Sequence, residues 1–95
     1  MTIKQLIEWL RKEFPQASWF ETSLFERKCV AAQFGANTRI YVSSKPKGTF
    51  GIDLEMKNNG FGRQLESIDQ VKDTIIECMN MIDPSLLTSI QERLI

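Results

Sequence analysis

Between Arg27 and Lys57 the chain reads RKCVAAQF, TRIYVSS and TFGIDLEMK, three alternating runs separated only by GAN and KPKG. Side chains of a strand point to opposite faces in turn, so alternation marks strands that are buried on one side. Connections this short leave no room for a crossover, and the strands must pair antiparallel. The pattern also sorts the residues. Val30, Ala32, Phe34, Ile40, Val42, Phe50, Ile52, Leu54 and Met56 share the apolar face. The other face receives Arg27, Cys29, Ala31, Gln33, Arg39, Tyr41, Ser43, Asp53 and Glu55.

The flanks have a different period. Ile3, Leu6, Ile7, Leu10 and Phe14 recur at helical spacing, Thr2 and Gln5 form a capping box, and Pro15 stops the run. This predicts a helix over about 3–14, with Trp9 on the flank of its apolar stripe. A second helix is predicted over about 68–82. Ser67 caps it, and Ile68, Val71, Ile75, Cys78, Met79 and Ile82 face inward, with Ile76 and Met81 outside the stripe. Asp83-Pro84 ends it and opens a short third helix through SLLTSIQERL. The stretch SWFETSLF is either an irregular first strand or an ordered loop.

MKNNGFGRQLESIDQVKD places glycines ahead of a capped helix, the setting of a phosphate cradle. Five residues separate Gly62 from the helix start at Ile68, too many for its backbone to open onto the helix N-terminus. Asn58-Asn59-Gly60 reads instead as a hairpin loop leading to a short strand, FGRQLE. That register sets Glu55 opposite Arg63 as a cross-strand charge pair and adds Arg63 to the polar face.

The order is α-β-β-β-(β)-α-α over residues 1–95, one α+β domain. It is a two-layer sandwich, an antiparallel three- to four-stranded sheet with helices on one face. At 95 residues a single core is all the chain can bury. No apolar run has the length of a membrane span, and the N-terminal stretch is studded with charges, so the chain reads as cytoplasmic. Cys29 and Cys78 lie within apolar-periodic segments and read as buried thiols.

There is no histidine. Ser-His and Cys-His nucleophiles are therefore excluded, as are the usual structural zinc sites. No cofactor fingerprint occurs. Asp53 and Glu55 form the one carboxylate pair on the polar face, with Arg39, Lys57 and Arg63 expected close enough to neutralise them. No catalytic residue, cofactor or metal is assigned.

Net charge is zero but uneven: residues 1–47 hold eight Lys/Arg and four Asp/Glu, residues 48–95 four and eight. From Arg27 to Ile52 there are five bases and no acid. The helix–strands–helix order resembles that of double-stranded-RNA-binding domains in topology only. Their last helix begins with a lysine cluster, and here that position reads ESIDQVKD. The expectation is a non-catalytic protein-binding module: a small inhibitor, adaptor or regulatory protein. Its contact candidates are Arg39, Tyr41, Ser43, Lys45, Lys47, Asp53, Glu55 and Arg63. The alternative is a nucleic-acid-binding domain using the basic 27–47 region. A homodimer through the polar sheet face or the helical layer is a further expectation.

Overall fold

The computed structural model describes residues 1–87. It begins with α1, Ile3–Glu13. The Thr2 hydroxyl accepts from the Gln5 backbone N–H at 3.1 Å, and the Thr2 N–H donates to Gln5 Oε1 at 2.9 Å. Two otherwise orphaned donors at the helix start are thus satisfied. The Phe14 N–H closes the other end on the Leu10 carbonyl.

Five strands follow: β1 Trp19–Leu24, β2 Arg27–Phe34, β3 Thr38–Ser44, β4 Phe50–Glu55 and β5 Gly60–Leu65. They form one antiparallel sheet in the order β1-β2-β3-β4-β5. A single 3-10 turn, Pro46–Gly48, links β3 to β4. The α+β expectation stands, but with five strands in place of three or four. SWFETSLF is the addition: its Trp19–Leu24 portion pairs regularly along β2, with Trp19 opposite Ala32 and Leu24 opposite Arg27.

Helix α2, Ile68–Ile82, is capped by the Ser67 hydroxyl, which accepts from the Gln70 N–H at 3.2 Å. Both helices lie on one face of the sheet. The core between the layers joins Leu6, Leu10 and Phe14 of α1 to Val71, Ile75, Cys78 and Met79 of α2, over Val30, Ile40, Val42 and Ile52. Trp19 reaches in from β1 and donates its indole N–H to the Phe14 carbonyl at 3.0 Å, which satisfies a buried polar pair. Trp9 is half-buried, edge-on to Phe14 with ring centres 6.3 Å apart. Ile76 is also half-buried, whereas Met81 is exposed. Of the predicted third helix, Pro84–Leu87 forms one 3-10 turn, held by Gln16 Nε2 donating to the Leu86 carbonyl at 3.0 Å. The rest of that prediction lies outside the described residues. No helix among the described residues is long and apolar enough to cross a membrane.

The β4–β5 register differs from the one the Asn-Asn-Gly signal implies. Glu55 pairs with Gly60, and Ile52 with Arg63. Met56 and Asn59 still bond through their backbones, so the turn falls on Lys57 and Asn58. An odd shift in register moves every side chain of a strand to the other face. Arg63 accordingly stands on the helix side, where it meets Glu77 of α2 at 2.6 Å. It is not part of the polar face and has no pairing with Glu55.

Candidate functional site

The sheet face turned away from the helices has a small apolar cluster of its own. Cys29, Ala31 and Tyr41 are buried there, with Phe20 and Leu24 packed beside them. Strand β1 makes the difference. Its outward positions are Phe20, Thr22 and Leu24, and Phe20 and Leu24 pack onto what reads in sequence as a solvated polar face. Tyr41 is left only 8% exposed.

Arg39 closes the cluster from above. Its guanidinium lies 5.4 Å from the Phe20 ring centre and 5.6 Å from that of Tyr41. It also donates to the Tyr41 hydroxyl at 3.3 Å and to the Gln33 side-chain carbonyl. Gln33 in turn donates to the Gly35 carbonyl at 2.7 Å. A planar cation held over two aromatic rings and fixed by hydrogen bonds is a rigid lid. Arg39 is spent on this lid although Glu55 is its cross-strand neighbour.

The β1–β2 hairpin turns in two residues, Phe25 and Glu26, with φ of +51° and +64°. A two-residue hairpin with both central residues left-handed is the type I′ form, ordinarily made by Asn-Gly. A bulky side chain in that region is a backbone outlier. Phe25 is also 88% exposed. With Leu24 it forms one lip of a cavity of about 360 Å³, lined further by Arg27, Cys29, Tyr41, Ser43, Lys45 and Asp53. An adjoining cavity of about 260 Å³ runs from Leu24 and Phe25 to Asn59 and Gly60. A flat sheet would hold its edge strands about 19 Å apart. That both edges line one small cavity means the sheet curls toward this face.

Glycines let charged side chains lie flat on the curled surface. A Cβ at Gly62 would come within 2.7 Å of Asp53 Oδ1, and one at Gly51 within 3.2 Å of Lys45 Cε. Asp53 also acts on Cys29. Burial first, and the nearby carboxylate second, raise the thiol above its ordinary value. The thiol is therefore held protonated, the opposite of what a nucleophile needs. Cys78 is free and buried on the other side of the sheet, so the two thiols are separated by the sheet itself.

The structure thus gathers Arg39, Tyr41, Ser43, Lys45, Asp53 and Glu55 on one face. Lys47 is exposed on the 46–48 turn in a left-handed backbone, φ +66°. Arg63 is on the opposite side. Phe20, Leu24 and Phe25 belong to the site and are missed by sequence reading. The signal for them was the two-residue gap between ETSL and RKCV, which lacks the usual turn residues. Among the described residues, no three His, Cys, Asp or Glu side chains are grouped so as to hold a metal ion. Comparison with protein-family models, with curated proteins and with solved structures finds no match.

Proposed function

We propose that this chain is a non-catalytic protein-binding module, a small inhibitor, adaptor or regulatory protein that engages its partner with the curled outer face of the sheet. The observation that carries the proposal is Phe25: 88% exposed and left-handed at the lip of a cavity. A left-handed Phe costs stability, and an exposed one recovers none of it by packing. Strain of this kind persists where it is used. Exposed aromatic side chains are the kind of residue that most often dominates protein–protein affinity once a partner buries them. The rigid Arg39 lid lowers the cost of binding by fixing the surface in advance. Free buried thiols fit a reducing compartment, the cytoplasm.

The test is affinity capture from the native host with wild-type protein, Phe25→Asp and Met81→Glu. A specific protein captured by wild type and by Met81→Glu, and lost with Phe25→Asp, is the expected result. Loss only with Met81→Glu would move the interface to the helical layer. Recovery of nucleic acid alone would overturn the protein-partner reading. Sedimentation of the purified chain tells whether the partner is a second copy.

A further inference from the structure

We propose that the corner of the sheet beside Phe25 is a docking site for an acidic segment of the partner protein, one that also carries an apolar side chain. This rests on the protein-partner reading above and adds the chemistry of the partner. A cavity of about 420 Å³ opens at the end of β2 and β3, lined by Arg27, Lys28, Lys45, Ser43, Ser44, Ile3 and Pro46. Among the described residues, three cations and two hydroxyls surround it and no carboxylate does. The ion pairs among the described residues, Arg63–Glu77 and Lys72–Glu13, involve none of the three. Sequence explains why: from Arg27 to Ile52 the chain has no acid to offer them.

The start of α1 adds to the same field. Ser44 donates to the Met1 carbonyl at 2.7 Å, which holds the beginning of the helix against the end of β3. The first turn of α1 contains no acidic residue, so the positive end of the helix is not neutralised from within. Like charges held together without counter-charges repel one another, and a ligand that supplies carboxylates removes the repulsion. Arginine and lysine with adjacent hydroxyls match carboxylate oxygens through charge-assisted hydrogen bonds.

This corner is continuous with the apolar-lipped cavity under Phe25. Arg27, Ser43 and Lys45 line both. Asp53 lines the Phe25 cavity but not the basic corner, so the joined site asks for carboxylates at the corner, away from Asp53, and for an apolar group at the Phe25 end. A nucleic-acid strand fits it less well. Continued along the face, its phosphates would meet Asp53 and Glu55. The rings that could stack its bases, Phe20 and Tyr41, are already covered by Arg39. Only Phe25 is left free for a base, and a single-strand platform uses several.

The probe is a short fluorescein-labelled peptide alternating Glu and Leu, titrated by fluorescence anisotropy. Salt is set at about 0.1 M and then about 1 M, which shortens the screening length from about 10 Å to about 3 Å. Saturable binding at the lower salt, lost at the higher, is expected. Arg27→Glu with Lys45→Glu should weaken it about tenfold or more. Lys28→Glu, an exposed position, should weaken it less and serves if the double variant does not fold by circular dichroism. No binding, or binding unchanged by charge reversal, overturns the proposal. So does tighter binding of a mixed-sequence single-stranded oligonucleotide that the same reversals weaken. Partner capture that survives Arg27→Glu/Lys45→Glu but not Phe25→Asp would refute the acidic-segment assignment and leave the protein-partner reading intact.

Discussion

Replacing Phe25-Glu26 by Asn-Gly should make the protein more stable and less able to bind. Both residues sit at positive φ, +51° and +64°. An ordinary side chain in the left-handed region costs roughly 1–2 kcal/mol. Glycine removes that cost but adds about 0.4–1 kcal/mol of unfolded-chain entropy. Asparagine removes part of it through its tolerance of the left-handed region. Phe25 is 88% exposed, so its removal forfeits little buried surface. The balance favours the double variant by about 1–2 kcal/mol. In a domain of this size each kcal/mol raises the melting temperature by about 4–8 °C. Thermal melts followed by circular dichroism measure the gain, and capture of the partner measures the loss. A variant that melts no higher than wild type would show that the hairpin is not strained. One that melts higher and still binds fully would show that Phe25 is not the anchor.

Two glycines of β5 should respond differently to alanine. At Gly60 a Cβ would meet the Leu54 backbone oxygen at 2.5 Å, whereas at Gly62 it meets the Asp53 side chain, which can swing aside. Gly60→Ala is expected to cost about 1–3 kcal/mol in denaturant melts, and Gly62→Ala clearly less; equal losses would contradict the close approach of β5 to the β4 backbone at Gly60. Trp19→Phe keeps an aromatic side chain but removes the indole donor, leaving the Phe14 carbonyl with the Ala17 N–H alone, for a loss of about 0.5–1.5 kcal/mol from the hydrogen bond; a loss within error would mean that water replaces the indole. Burial, then Glu77, raise the Cys78 thiol to about 11, with Arg63 pulling the other way. The folded state then holds its proton at pH values where the unfolded thiol has lost it, so stability falls as pH climbs from about 9 toward 11. Denaturant melts across that window should show a smaller fall in Cys78→Ala, and an identical fall would assign the effect to other groups.

Much of this architecture is legible from local pattern. The three runs within residues 27–57 can be read face by face because β2, β3 and β4 are central strands whose one face lies under the helices. Strand β1 is harder to see because its apolar residues change sides. Trp19 enters the main core, while Phe20 and Leu24 serve the outer cluster. Glu21 and Ser23, on the helix side, are exposed. No single alternation results. The placement of Arg63 follows from the turn falling on Lys57 and Asn58 instead of Asn58-Asn59-Gly60, a choice that the Asn-Asn-Gly composition does not make; Glu77 is the partner it then meets. Of the site, the residues contributed by β3 and β4 follow from periodicity. Phe25 does not, because Phe-Glu lacks the composition by which type I′ turns are recognised.

The order of the strands in the sheet is their order in the chain. Each pairing therefore closes a short loop, and loop closure is the entropic toll that slows sheets with distant partners. The longest closures are those that bring α2 and the turn after it back to the first twenty residues. They include the Lys72–Glu13 contact between the helices at 3.2 Å and the bond from Gln16 to the Leu86 carbonyl. During synthesis the hairpins can form as they leave the ribosome, one after another, with α1 already beside them. The apolar underside of β4 and β5 must wait for the C-terminal third. Until α2 arrives, Ile52, Leu54 and Leu65 form an uncovered apolar surface of the kind on which aggregation starts.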